Sequence, residues 1–301
     1  MHRKIRSFSN SLQPAERKKY MDQFTTVNGL KIHYLDYPGD DPVLILLPGL
    51  TVNAHAFDGL IRAGIHARNR VIAVDFRGRG LSDKPESGYS MGEYAADIVG
   101  LMDNLGVATA VVCGHSFGAL VGMVLAANHP QRFPKFVIID SSHLILNPQT
   151  VDLVKASLER LNRSLPSMDV YLAAMRKMPF LDGYWDTDIE NAYRTDVRIH
   201  PDGSVQSQTT TEIIAETIDN EFKEPWNAHV KAIKQPVILL NAPRAFGPPG
   251  TAPILSEVVG QETADLYHNC QYIKIPGNHY TMIFGDNAPH IVAAIDKFVN
   301  G

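Results

Sequence analysis

The sequence has 301 residues, of which 45% are hydrophobic and 20% are charged, the ordinary composition of a globular protein. The formal net charge of -4 argues against a nucleic-acid-binding protein, which usually carries a strong basic excess. No stretch approaches the roughly 18 consecutive apolar residues of a membrane span, so the sequence predicts neither a nucleic-acid nor a membrane partner.

The beginning of the chain carries its one basic cluster, in residues 2–4 and 17–19, and we interpret residues 1–21 as a solvated extension. It lacks an apolar stretch long enough for a signal peptide. Two cysteines, Cys113 and Cys270, are too few for a disulfide framework, and both lie in apolar runs that predict buried free thiols. These features favour a cytoplasmic protein.

The first predicted elements are two strands, Gln23–Val27 and Leu30–Tyr37, which are separated by Asn28 and Gly29. Asn-Gly is the preferred pair for a two-residue hairpin turn, because both positions need positive φ angles. The sequence therefore predicts an antiparallel hairpin at the edge of a sheet.

Short apolar runs rich in β-branched residues then recur with helical patterns between them. These runs are Val43–Leu47, Arg70–Val74, Ala110–Cys113, Phe136–Ile139, Val237–Leu240 and Tyr272–Ile275. The helical patterns include Tyr89–Leu105, which ends at Gly106, and Ala119–Asn128, which ends before Pro130. Nearly continuous apolar strands alternating with helices predict an α/β protein with a doubly wound, mostly parallel sheet covered on both faces.

The alternation of strands and helices stops after Asp140 and resumes at Pro236. The intervening patterns are helical, as in Val151–Leu161, Val170–Met178 and Thr211–Ile218, and no parallel strand is evident. We interpret residues 142–230 as a helical cap inserted into a core formed by residues 22–141 and 231–301. A cap over the carboxyl edge of a sheet usually encloses a binding cleft.

The segment Gly114-His115-Ser116-Phe117-Gly118 matches the pattern G-x-S-x-G. It follows a predicted strand directly and opens a predicted helix, which is the setting that a nucleophile elbow requires. The sharp turn demands small residues two positions before and after the serine, and it places the serine Oγ at the amino end of a helix. The sequence therefore predicts Ser116 as a nucleophile.

These motifs resemble the α/β-hydrolase family, whose fold is an eight-stranded, mostly parallel sheet. Further matching segments are residues 47–50, 75–83 and 277–279, and the resemblance covers about residues 22–141 and 231–301. The sequence departs from the family at Pro48, where histidine is more usual. This difference removes no oxyanion donor, because the donors are backbone N–H groups. By analogy these donors are Phe117 and Leu50. The resemblance assigns Asp75 and Arg77 a structural role in their loop.

The base is predicted to be His279, which follows the last predicted strand in a glycine-containing loop. It also comes last in the order serine, acid, histidine that this family uses. A hydroxyl is a poor nucleophile until a neighbouring imidazole takes its proton. His115 flanks the nucleophile, but we expect the turn to aim its side chain away from Oγ. His143 remains an alternative site residue near the predicted acid.

The acid is the least certain member, because the segment from Leu240 to Gly250, where most of the family carries it, has no carboxylate. Asp140 ends the strand after the nucleophile strand and would emerge at the same sheet edge. This arrangement resembles the family branches of the zearalenone lactonases and an acetamidomethylene-succinate hydrolase. Asn241 as a neutral orienting group and Glu257 remain alternatives.

We expect the cap to select the substrate, and it offers both aromatic and cationic side chains. They are Tyr171, Phe180, Tyr184, Trp185, Phe222 and Trp226, and Arg160, Arg163, Arg176, Arg194 and Arg198. Of these, Trp185 and Arg176 are our candidates for substrate binding, together with Tyr280 beside the base. An arginine facing the pocket would indicate a carboxylate-bearing substrate.

The predicted activity is hydrolysis of a small or medium ester, lactone or amide through an acyl-enzyme, without a cofactor or metal. The histidines lack the spacing of a zinc site. Two other functions remain open on the same fold: a cofactor-independent dioxygenase that uses His279 and Asp140, and a ligand receptor with little turnover. The expected partner is a small-molecule substrate, and a homodimer is one option for the oligomeric state.

Overall fold

The computed structural model describes residues 21–181 and 183–301. The predicted N-terminal extension therefore lies outside the described residues except for Met21. The strands of the described residues are β1 (Met21–Val27), β2 (Leu30–Tyr37), β3 (Asp40–Leu47), β4 (Asn69–Val74), β5 (Ala110–His115), β6 (Lys135–Ile139), β7 (Val197–Ile199), β8 (Val205–Ser207), β9 (Val237–Asn241) and β10 (Cys270–Lys274).

The helices follow the same chain order and separate most of the parallel strands. They are α1 (Asp58–Arg62), α2 (Met91–Asn104), α3 (Phe117–Asn128), α4 (Pro148–Glu159), α5 (Met168–Met175), α6 (Thr187–Thr195), α7 (Thr211–Glu221), α8 (Trp226–Ala232), α9 (Glu257–Asp265) and α10 (Ala288–Asn300).

Eight of the strands form one sheet in the order β1-β2-β4-β3-β5-β6-β9-β10. Strand β2 pairs antiparallel with both β1 and β4, and the remaining pairs are parallel. The predicted doubly wound, mostly parallel sheet is thus confirmed. The predicted hairpin is also present, because Asn28 and Gly29 adopt φ angles of 50° and 80° and so form the turn that Asn-Gly favours.

The core lies on both faces of the sheet, because successive residues of a strand point to opposite sides. In β3, Leu44 and Leu46 pack in one buried cluster, whereas Val43, Ile45 and Leu47 pack in the other. The central strands are buried on both faces, and for this reason their sequences are continuously apolar instead of alternating.

The local sequence explains where helices α2 and α3 begin. Helix α2 starts after Ser90, whose hydroxyl accepts from the N–H of Glu93 while the Glu93 carboxylate accepts from the N–H of Ser90. Helix α3 starts at Phe117, directly after Ser116, which is two residues before its predicted start.

The segment between β6 and β9 contains helices α4 to α8, as the sequence predicts, together with a hairpin that it does not. Strands β7 and β8 form this hairpin and have three residues each, too short to give a periodic pattern. Helix α8 packs against α3 of the core. The boundaries of the predicted cap at residues 142 and 230 stay predictions.

Across residues 21–181 and 183–301, no helix combines the length and apolar character needed to cross a membrane. Both cysteines are free thiols; Cys113 is buried, as predicted, but Cys270 is only partly buried.

Candidate active site

Ser116 lies in a sharp turn between β5 and α3, with φ of 54° and ψ of -122°. The glycines two residues away leave no room for a side chain. A Cβ on Gly114 would lie 2.3 Å from the Ala119 nitrogen, and a Cβ on Gly118 would lie 2.0 Å from the Leu47 oxygen. This crowding explains the glycines of the motif, because the helix start packs directly against the ends of β5 and β3.

His279 lies in the loop after β10, and its Nε2 is 2.9 Å from the Ser116 Oγ. Asn278 fixes this loop, since its Oδ1 accepts from the backbone N–H groups of Tyr280 and Thr281. The Asn278 Nδ2 donates to the carbonyl of Phe180 at 2.7 Å and so ties the loop to the inserted segment.

Asp140 follows β6 and is completely buried. Its Oδ2 is 2.7 Å from the His279 Nδ1, and its Oδ1 accepts from the Asn241 Nδ2 at 2.8 Å and the Ala242 N–H at 2.7 Å. With the carboxylate accepting from Nδ1–H, the His279 Nε2 is left as an acceptor for the Ser116 hydroxyl. The structure therefore brings the three predicted residues into one hydrogen-bonded row.

The other candidate site residues make different contacts. Glu257 is at the start of α9, half-exposed and paired with Lys274 at 3.0 Å. Asn241 ends β9 and contacts Asp140 instead of the histidine, while its own Oδ1 accepts from the Tyr272 hydroxyl at 2.6 Å. His143 lines a separate depression near Trp226.

The His115 side chain packs against the loop of the predicted base. Its ring lies 4.8 Å from the ring of His279, and its Nε2 donates to the His279 carbonyl at 2.8 Å. Burial, with a contribution from His279, lowers the pKa of His115 to about 3, so its ring is neutral near pH 7. The side chain supports the backbone of the predicted base.

The predicted oxyanion donors, Leu50 and Phe117, both line the cavity beside Ser116. Gly49 brings the loop close, since a Cβ there would lie 3.6 Å from the Ser116 Cβ. The backbone carbonyls of Leu50 and Thr51 each accept a hydrogen bond from a buried guanidinium group. Arg79 Nε donates to the Leu50 oxygen at 2.7 Å, and an Arg160 nitrogen donates to the Thr51 oxygen at 2.6 Å.

The loop of residues 75–83 supports the site without entering it. The Asp75 carboxylate accepts from the N–H groups of Ala54 and Leu81, at 2.7 and 2.8 Å, and lies 2.7 Å from a ring nitrogen of His33. Arg77 forms a two-point ion pair with Asp97. These contacts fit the structural role that the resemblance assigns to Asp75 and Arg77.

A largely apolar cavity of about 140 Å³ opens at Ser116. It lies between the carboxyl edge of the sheet and the inserted segment. Besides Ser116, His279 and residues 49–52 of the predicted oxyanion loop, its lining includes Leu120, Ile145, Val154, Arg160, Phe180, Tyr193, Ile218, Glu221, Phe222, Phe246 and Tyr280.

Of the substrate-binding candidates, Tyr280 lines this cavity, whereas Trp185 and Arg176 do not. Arg176 lies over the Trp185 ring, 5.0 Å from its centroid, and both side chains hydrogen-bond to Glu190. Trp185 stacks behind Tyr193 and so lies one layer away from the cavity. The helical pattern alone cannot assign such side chains, because packing decides which of them face inward.

Sequence reasoning missed Glu221 in the lining. A signal was present, because Ile213, Ile214 and Thr217 precede it at helical spacing on the buried face of α7. Arg160 was one of several cap cations in the sequence, and its partner Asp196 makes it a paired side chain, not a free cation. Among the described residues, no group of three or more His, Cys, Asp or Glu side chains is placed to hold a metal ion.

A family model described as the alpha/beta hydrolase fold matches residues 42–193, which is half of the chain. The protein therefore belongs to the alpha/beta hydrolase fold family. Within the matched segment lie Ser116, Asp140 and the oxyanion loop, whereas His279 lies beyond it.

Curated relatives include a 2-(acetamidomethylene)succinate hydrolase of Mesorhizobium japonicum, which is 36% identical over 45% of this chain and 49% of its own length. The AB hydrolase superfamily protein YfhM of Bacillus subtilis is 34% identical over 40% of this chain and 43% of its own length. The chain spans about half the length of the curated relatives it matches. The predicted resemblance to an acetamidomethylene-succinate hydrolase is thus confirmed.

Solved structures of the same fold cover nearly the whole chain. An E-2-(acetamidomethylene)succinate hydrolase aligns with a TM-score of 0.79 at 23% identity, over 94% of this chain and 100% of its own. The enol-lactonase from Burkholderia xenovorans aligns with a TM-score of 0.68 at 20% identity, over 93% and 100%. These likenesses establish the shared fold.

Proposed function

We propose that this protein is a serine hydrolase that cleaves a small or medium ester, lactone or amide through an acyl-enzyme on Ser116. The observation that carries the proposal is the row of hydrogen-bonding contacts from Ser116 through His279 to Asp140, at 2.9 and 2.7 Å. Relatives named as hydrolases and a neighbour named as an enol-lactonase support the same reaction class.

In the first half of the reaction, the Ser116 Oγ attacks the substrate carbonyl carbon while its proton passes to the His279 Nε2. The carbonyl oxygen becomes an oxyanion that accepts hydrogen bonds from the Phe117 and Leu50 N–H groups. Each such donor stabilises a transition state by roughly 3–4 kcal/mol in known enzymes. His279 then gives the proton to the leaving group, and the acyl-enzyme remains.

In the second half, His279 takes a proton from water, and the resulting hydroxide attacks the acyl carbon. The bond from the carbon to the Ser116 Oγ breaks, and the proton returns to the serine. Asp140 accepts from the His279 Nδ1–H throughout, so it orients the ring and stabilises the imidazolium that forms in each half.

The proposal is tested by labelling the folded protein with a fluorophosphonate and identifying the modified peptide by mass spectrometry. We expect one label on Ser116, lost in Ser116→Ala and strongly slowed in His279→Ala. Ser164→Ala, at an exposed serine of the inserted segment, serves as the matched control and should label normally.

Failure of the folded protein to label would contradict the proposal. Oxygen uptake with a heteroaromatic substrate would favour the dioxygenase, and a stable adduct after a single slow turnover would favour the receptor.

A further inference from the structure

Glu221 ends helix α7 and is 5% exposed, although it lines the cavity that opens at Ser116. Its Oε1 is buried and has no hydrogen-bond partner among residues 21–181 and 183–301. A buried polar atom without a partner is rare, because it has lost its bonds to water and gained none in return. A wall of a binding cavity is a place where a ligand can supply the missing bond.

The cavity that Glu221 lines is largely apolar, and Leu120, Ile218 and Phe222 also line it. Among residues 21–181 and 183–301, the charged group that acts on it is Arg79, whose nitrogen atoms already donate to Leu50, Arg77 and Thr217. Burial outweighs this cation and raises the pKa of Glu221 to about 8. The side chain is therefore mostly protonated at neutral pH and offers both an O–H donor and an acceptor oxygen.

The other buried carboxylates near the cavity have clear structural partners. Asp140 accepts three hydrogen bonds. Asp196 pairs with Arg160 and accepts from Ser207 at 3.1 Å through its Oδ2, although its Oδ1 is buried without a partner among the described residues. Glu221 has no equivalent bond in the described fold, so the fold does not explain why an acid lies there.

We propose that Glu221 is a specificity residue that binds a hydroxyl or amide N–H of the substrate. This inference rests on the proposed hydrolase function, since the recognised group lies on a molecule whose acyl carbon reacts at Ser116. The reacting carbonyl already has the N–H groups of Leu50 and Phe117 as partners, so Glu221 serves a second polar group.

A neutral partner fits this wall better than an ion. An ammonium group would need Glu221 to give up its proton and would bury both charges, and a carboxylate would lie beside another acid. A buried charge is costly when its pairing is incomplete. A hydroxyl or amide satisfies Oε1 with a smaller loss of hydration. An analogue with a methyl group in its place leaves the Glu221 oxygen unpaired and is rejected for that reason.

The experiment compares chromogenic esters whose acyl chains end in methyl, hydroxyl, ammonium or carboxylate, over a series of chain lengths. In the native protein, kcat/KM at the best length should favour hydroxyl over methyl by about tenfold or more. Glu221→Leu should abolish this preference. Glu221→Gln, which keeps a donor and an acceptor, should retain much of the preference.

Asp219→Asn is the matched control, because Asp219 is an exposed acid on the same helix, and it should keep the native preference. Hydrolysis of the methyl ester and fluorophosphonate labelling test the proposed hydrolase activity independently of the preference for hydroxyl. Equal rates for methyl and hydroxyl at every length, a preference for either ion, or a preference that survives Glu221→Leu would each overturn the inference.

The same ester pairs are also titrated by calorimetry into Ser116→Ala, with and without Glu221→Leu, so that binding is measured without turnover. Tighter binding of the hydroxyl ester that depends on Glu221 supports the inference. Its absence overturns the inference even where no ester is hydrolysed.

Discussion

Asp140 and Ser116 share an unusual backbone conformation, with φ angles of 51° and 54°. Residues other than glycine rarely adopt positive φ, and such strain persists only where the surrounding structure holds it. Here β6 and β5 are neighbours, and both residues leave their strands at the same edge. The strained turns direct the carboxylate and the hydroxyl toward one imidazole.

Replacing Asp140 with Asn should lower kcat by about four orders of magnitude while the protein remains folded. The amide can donate to the His279 Nδ1 and thereby favours the tautomer that cannot accept the serine proton. The measurement is steady-state kinetics on an ester, with circular dichroism as the check of folding. Glu257→Gln is the control and should leave kcat unchanged. Near-native turnover of Asp140→Asn would show that Asp140 is not the acid that orients His279.

His115 should make stability depend on pH. Its pKa is about 3 in the folded protein against an ordinary 6.5, because burial disfavours the charged ring. Between these values the unfolded chain binds more protons, so the free energy of unfolding rises with pH and falls as the solution is acidified from 6.5 toward 3. The contribution of one such group approaches about 1.4 kcal/mol per pH unit within this window.

The measurement is urea unfolding at several pH values for the native protein and His115→Asn. The difference between the two slopes isolates the contribution of this ring from that of the carboxylates. His268→Asn, at an exposed histidine, should follow the native slope. Identical slopes for the native protein and His115→Asn would show that the ring is not buried in a neutral state.

At the scale of elements, the turn from β5 into α3 depends on close approach of backbones. The Gly118 Cα faces the carbonyl of Leu47 at the end of β3, the strand that leads into the oxyanion loop. This contact places the amino end of α3 beside that loop, which brings the Phe117 and Leu50 backbones to the same cavity.

Gly118→Ala should therefore destabilise the protein by about 3 kcal/mol or more, because its Cβ meets backbone that cannot move without shifting a strand. Gly92→Ala is the control. Gly92 is in the exposed first turn of α2, where a Cβ meets only the Ser90 Oγ at 4.0 Å. Alanine there should leave stability unchanged or raise it by up to about 1 kcal/mol. Urea denaturation compares the two, and equal effects would contradict the proposed backbone contact.

At the scale of the whole molecule, Arg160 joins the inserted segment to the core. It lies after α4, is buried, and pairs with Asp196 after α6, while it also donates to the Thr51 carbonyl of the oxyanion loop at 2.6 Å. The position of the inserted segment is thereby coupled to the loop that contains Leu50, a proposed oxyanion donor.

Arg160→Met should cost about 3–5 kcal/mol of stability, because it leaves the Asp196 carboxylate buried without its cation. Arg176→Met removes a half-exposed arginine that pairs with Glu190 in the same segment and should cost less than about 1 kcal/mol. Thermal and urea unfolding measure both. A cost for Arg160→Met as small as that of Arg176→Met would mean that the inserted segment does not depend on this pair.

The amino-acid sequence by itself determined the fold class and the positions along the chain of Ser116, Asp140 and His279. Continuous apolar runs that alternate with helical patterns indicate buried parallel strands, and the carboxyl ends of such strands meet at one edge of the sheet. The glycines of the G-x-S-x-G motif reflect crowding around the turn. This crowding depends largely on residues close in the chain, so the sequence can indicate it.

Only the tertiary structure decided which side chains of the inserted segment face the cavity. Trp185 and Arg176 stack on each other, whereas Glu221, Phe180 and Arg160 line it, because packing between helices fixes their rotation. It also decided that His115 lies against the His279 ring, and that Asn241 contacts Asp140 instead of the imidazole. These contacts join residues far apart in the chain, and no local pattern specifies them.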